Sequence, residues 1–170
     1  MKIIEAMKQI KAQMEKLEDL RKKVAANCAN LDFESPMYPY PEVQIQQWLQ
    51  AHSDIVKEIL ALRLRLQKTN LNTMITIELG GKQVTHCISE WIIRRRDLAK
   101  LEQAAWSMLT DRGLKEQKVI TAPGSPVTEI KVKRHFDPVK RDEMQLVYMQ
   151  EPSVIDRTLE VINATTELVE

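Results

Sequence analysis

Residues 41–68 read PEVQIQQWLQAHSDIVKEILALRLRLQK. Within them Ile45, Trp48, His52, Ile55, Ile59, Leu62 and Leu66 recur in steps of three and four. That spacing lines up one side of an α-helix along its whole length, as in a heptad seam. Leu49, Val56, Leu60 and Leu64 fall beside this seam and widen the apolar face beyond what one neighbouring helix covers. Pro41 suits the first position of the helix, where its missing N–H costs nothing.

Upstream, Ile3, Met7, Ile10, Met14, Leu17, Val24, Cys28 and Leu31 also alternate in steps of four and three, with Arg21 the one missing member. The spacing predicts a first helix from Ile3 to about Leu31, with Cys28 buried on its seam. Pro36, Pro39 and Pro41 forbid helix between the two segments. Residues 1–68 therefore read as an antiparallel αα-hairpin.

Downstream the period changes. Thr73 to Leu79 alternates and is rich in β-branched residues, Gly80-Gly81 follows, and Lys82-Gln83-Val84 resumes. A Gly-Gly pair between such runs predicts a β-hairpin over 73–84. Thr85 is placed to cap a third helix over 86–112, closed by Gly113 and buried through Ile88, Ile92, Leu98, Leu101, Ala105 and Leu109, with Trp91 and Trp106 on its flanks. Lys115 to Val127 reads as a loop that breaks at Ala122-Pro123-Gly124-Ser125-Pro126. Residues 129–134 alternate and predict a third strand beside the hairpin, which alone would be marginal. Asp137-Pro138 starts a C-terminal helical region over 138–169, with Pro152 a second start or a kink. The expected fold is mainly α within an α+β class: one domain, 1–170, an antiparallel bundle of long coiled-coil-like helices with a small two- or three-stranded β element.

Composition agrees. The chain has 170 residues, 44 % hydrophobic and 29 % charged, with four glycines, a balance that favours long helices. A net charge of +1 demands neither nucleic acid nor an anionic membrane. Charged residues at Glu5, Lys8 and Lys11 interrupt the N-terminal segment, and no run approaches the roughly 20 apolar residues of a membrane span. The expected location is cytoplasmic, with no membrane partner.

Chemistry is sparse. His86-Cys87 is the one adjacent pair of soft ligands, and Cys28, His52 and His135 bear no metal spacing to it. Gly80-Gly81 lacks the Lys-Ser/Thr pair of a phosphate loop. His52 in the seam reads as a hydrogen-bonded core histidine. Catalytic residues, metal ligands and cofactors are therefore expected to be none. Arg94-Arg95-Arg96 points in three directions around a helix and makes a poor patch. Lys131, Lys133, Arg134, Lys140 and Arg141 form the one candidate surface for an anionic partner, against the alternative of a lysine-protected edge strand. Asn70, Asn72 and Asn163 sit near helix ends, where their side chains can satisfy orphan backbone groups.

Four segments carry a family resemblance: Thr69 to Thr73 with the strand and glycine turn after it, Arg95-Arg96-Asp97-Leu98, the segment 129–134, and Leu159 to Leu168. In order and spacing they resemble the septicolysin family, small helical proteins of bacteria and their phages. The chain departs from that pattern at Ala164, where a tryptophan is usual. The resemblance implies a helical bundle with a small β element that oligomerises, and it supplies no catalytic residues. The expected function is a non-enzymatic structural or assembly protein that self-associates through Leu49, Val56, Leu60 and Leu64, as a homo-oligomer or a subunit of a larger assembly. A phage virion component is one form of this reading. The alternative is a nucleic-acid or anionic-partner binder using the 131–141 cluster.

Overall fold

The structure is a computed structural model and describes residues 1–120 and 123–169. Its elements are α1 (Ile3–Asn27), α2 (Pro41–Asn72), β1 (Met74–Leu79), β2 (Lys82–Cys87), α3 (Ile88–Ile93), a π-turn (Arg94–Leu98), α4 (Ala99–Ser107), β3 (Gln117–Val119), β4 (Thr128–Ile130) and α5 (Pro138–Thr165). More than half of the chain is helical, and the strands form two separate two-stranded sheets. The chain divides into two compact units: Met1–Met74 with Cys87–Ser89 and Leu159–Glu170, and Ile75–His86 with Glu90–Thr158.

In the first unit α1 packs antiparallel on α2. The α2 side of this contact is the seam read from the sequence: Trp48, Ile59 and Leu62 are buried, with Thr69 extending the line past Lys68. The α1 side keeps half of the expected seam, Ile3 and Leu17 buried with Ile10 and Val24 half-buried, and shifts the other half by one residue. Ile3, Ala6, Gln13 and Leu17 are buried, while Met7 and Met14 are exposed. α1 also ends at Asn27, so Cys28 is an exposed C-cap residue and not a buried seam residue. Gln13 occupies the seam because its Nε2 donates to Glu58 Oε2 at 2.6 Å. A hydrogen bond to a carboxylate contributes about 1.5–3 kcal/mol, set against the Gln13 Oε1, which is buried with no partner among the described residues.

Residues 1–3 and 166–169 are tied together in this unit. Ile3 N–H donates to the Thr166 carbonyl at 3.0 Å, and Leu168 N–H to the Met1 carbonyl at 2.8 Å. The fully buried Thr69 hydroxyl donates to the Arg65 carbonyl at 2.8 Å and accepts the Val169 N–H at 2.9 Å. Val169 thus lies beyond the end of α5, outside the helix expected to run through 169. The Asn70 carboxamide does not serve the backbone as expected, since its Oδ1 is buried with no partner among the described residues.

In the second unit β1 and β2 form the expected hairpin. Gly80 and Gly81 take φ +56° and +76°, the left-handed pair a two-residue turn of this kind requires. Thr76 and Thr85 share a hydroxyl hydrogen bond of 2.7 Å across the strands, and Gln83 donates to Glu78 at 3.1 Å. Thr85 is therefore a strand residue and caps no helix. The third strand does not join this hairpin. β4 pairs antiparallel with β3, Lys118 opposite Glu129, inside the segment read as a loop. At the exposed hairpin tip the neighbour is α5, whose Val147 lies against Gly80. Of the expected loop break, Ala122 is outside the described residues, and Gly124 turns the chain at φ +87°.

The third helix is interrupted. The Ala99 N–H reaches back five residues to the Arg94 carbonyl, and that π-turn advances the buried face by one residue. Trp91 and Ala99 are buried, whereas Leu98 and Leu101 are exposed. Trp91, expected on the flank, is the centre of the face: it is fully buried and its indole donates to the Ile75 carbonyl at 3.1 Å. The helix ends at Ser107, short of Arg112. Across from it α5 runs unbroken through Pro152.

Candidate functional site

Two places answer to the candidate residues, one in each unit. On α2, Leu49, Val56, Leu60 and Leu64 are 51, 45, 58 and 55 % exposed. At about 100° per residue they share an arc of roughly 80°. The helix therefore carries a second apolar stripe turned away from the α1 contact. A cavity of about 290 Å³, almost wholly apolar, opens beside its N-terminal end, lined by Leu20, Val24, Ala25, Trp48, Leu49 and His52. Tyr38 meets the Trp48 ring edge-on at 5.2 Å between centroids. His52 has no hydrogen-bond partner among the described residues, contrary to the expected satisfied core histidine.

In the second unit the two arginines of the basic cluster are engaged, while no hydrogen bond or ion pair holds its three lysines among the described residues. The Arg134 guanidinium binds both carboxylate oxygens of Asp111, each at 2.6 Å. This pairing holds Asp111 below the usual carboxylate range and Arg134 above its ordinary value. Arg141 donates to Asp142 at 2.8 Å and to the Leu109 carbonyl at 3.1 Å, and its guanidinium stands 5.5 Å from the centre of the Phe136 ring. Its bond to Asp142 raises Arg141 and lowers Asp142. Lys131 and Lys133 follow β4 and are not part of a strand, so the edge-strand alternative fails as well. Lys140 lies in the first turn of α5.

The arginine triplet is likewise engaged. Arg94 grips the buried Glu151 with two nitrogens, which raises its pKa, Arg95 pairs with Asp156, and Arg96 with Asp97. The acidic partners lie 57 and 61 residues away for Arg94 and Arg95, and spacing along the chain gave no signal for them.

His86 and Cys87 end β2. His86 stands against Glu90 at 3.4 Å and edge-on to Trp91, while Cys87 is buried. Among the described residues no three His, Cys, Asp or Glu side chains come together as a metal site. Among them, too, no helix is long and apolar enough to cross a membrane.

No family model matches the chain, and no curated protein matches it. A solved structure does: a functionally unknown conserved protein from Corynebacterium diphtheriae, 18 % identical, with a TM-score of 0.57 over 99 % of each chain. That likeness extends over the full length of both chains, and what it shows is a shared fold.

Proposed function

We propose that the protein is a non-enzymatic assembly protein that associates with copies of itself through the outer stripe of α2. The observation that carries this reading is the exposure of Leu49, Val56, Leu60 and Leu64 on one face of a helix whose other face already packs on α1. Burying apolar surface is the dominant favourable term in association, and contiguous exposed apolar surface marks interaction sites. A second copy laid along the stripe would build a coiled-coil-like bundle from paired α1–α2 hairpins. The resemblance to the septicolysin family supports oligomerisation and extends the reading to a subunit of a larger particle, cytoplasmic or virion.

Light scattering of the full chain at micromolar concentration tests it. The expected mass is a multiple of 19.7 kDa. The substitutions Leu60→Glu and Leu64→Glu, both at exposed positions, should return the mass to one chain with the helical circular dichroism intact. A monomer for the unsubstituted chain would overturn self-association.

A further inference from the structure

We propose that the second unit holds a binding site for a small phosphate monoester, in the cavity between residues 110–114 and 132–136. This inference is independent of self-association through α2.

The cavity measures about 300 Å³, the lower end of the range for small-molecule sites. Its lining includes Asp111, Arg112, Lys133, Arg134, His135 and Phe136. Among the described lining residues Asp111 is the one carboxylate, and Arg134 binds both of its oxygens. That pair cancels itself. The Arg112 N–H donates to the Thr110 hydroxyl at 3.3 Å, but the side chains of Arg112 and Lys133 have no hydrogen-bond or ion-pair partner among the described residues. Two uncompensated cations at the wall of one concave volume make it attractive to a dianion.

The backbone supplies a second observation. Arg112 has φ +56° and is the one non-glycine with positive φ among the described residues. The left-handed conformation costs an ordinary residue about 1–2 kcal/mol. Glycine would occupy the position without strain, as Gly113 does next to it at φ +73°. Strain held at a residue that lines a cavity is the pattern seen where a side chain is kept for a ligand. A planar guanidinium fits phosphate through two parallel N–H bonds, and an ammonium beside it adds a point charge. The volume admits a phosphate carrying a sugar or nucleoside.

Thermal shift and calorimetric titration of the full chain at low salt would use inorganic phosphate, ribose 5-phosphate and AMP, with adenosine as the uncharged control. Millimolar phosphate compounds should raise the melting temperature while adenosine leaves it unchanged. A stronger response to ribose 5-phosphate or AMP than to inorganic phosphate supports an organic monoester, and an equal or weaker response overturns it. Arg112→Gly and Lys133→Gln should each weaken binding at least tenfold. Arg112→Gly should also melt no lower than the unsubstituted chain, because glycine relieves the strain. The proposal is overturned by no response to any of the three phosphates, by unchanged binding in both variants, or by retention of an oligonucleotide without response to the small phosphates.

Discussion

Arg94 holds the carboxylate of Glu151 with two guanidinium nitrogens, Nη2 lying 3.0 Å from Oε2, and Glu151 is 1 % exposed. The pair joins the π-turn to α5 one residue before Pro152. Proline donates no N–H to the Tyr148 carbonyl and would ordinarily weaken a helix there. The ion pair anchors α5 beside that weak point.

Arg94→Ala should therefore destabilise the protein by about 3 kcal/mol, since it leaves a carboxylate buried without a partner. The double substitution of Arg94→Ala with Glu151→Leu should recover most of that loss, because no charge then remains buried. Urea midpoints of the single and double variants measure both. An Arg94→Ala midpoint equal to that of the unsubstituted chain would show that the pair contributes nothing.

Asp111 ties Thr110–Leu114 to the segment before α5, and its hydrogen bonds with Arg134 hold its folded-state pKa below the ordinary value. A group depressed in this way contributes stability above its unfolded pKa of about 3.9. The contribution is lost as pH falls through the lower folded value. Asp142 beside Arg141 and Asp54 beside Gln50 carry the same sign. The melting temperature should therefore fall on acidification below pH of about 4, and Asp111→Asn should flatten that fall. Added salt should shrink the difference, since the pair is exposed to solvent.

Cys28 and Cys87 should separate cleanly in reactivity. Cys28 is an exposed residue at the end of α1, and Cys87 is buried at the end of β2. A thiol reagent under native conditions should modify one equivalent fast, at Cys28, and the second only on unfolding. Mass spectrometry of the labelled peptides decides which cysteine reacts.

Gly80 and Gly81 should not tolerate substitution equally. A Cβ on Gly80 would lie 3.1 Å from the Val147 Cγ2, and one on Gly81 would meet nothing within 4 Å. Both positions have positive φ, so either alanine is strained by about 1 kcal/mol. Gly80→Ala should cost more than Gly81→Ala by the price of displacing Val147. Pairing Gly80→Ala with Val147→Ala should remove the excess, measured by chemical denaturation.

What the sequence determined by itself was local. Seven seam residues on α2 report their face because each follows the last by one helical turn. Gly80-Gly81 reports its turn because few other residues adopt those backbone angles. The outer stripe from Leu49 to Leu64 was readable for the same reason as the seam, since periodicity separates the two faces whatever covers them. Tertiary structure decided everything that depended on a distant partner. Met7 and Met14 are as apolar as a seam residue should be, yet Ala6 and Gln13 are buried in their place. A glutamine enters a seam only when another helix brings a carboxylate such as Glu58 to its amide. The π-turn shifted the buried face from Leu98 to Ala99, and nothing local to Arg94–Leu98 announces the extra residue; Arg94 and Arg95 there take partners from α5. β3 has three residues, too few for alternation to register, and β4 takes only Glu129 and Ile130 of the alternating run 129–134, so their pairing waited on the fold. The basic cluster read as a surface because charge is visible in a sequence and pairing is not. Asp111 and Asp142 cancel Arg134 and Arg141, and the unpaired Arg112 and Lys133 come to one cavity only when residues 110–114 and 132–136 are folded together.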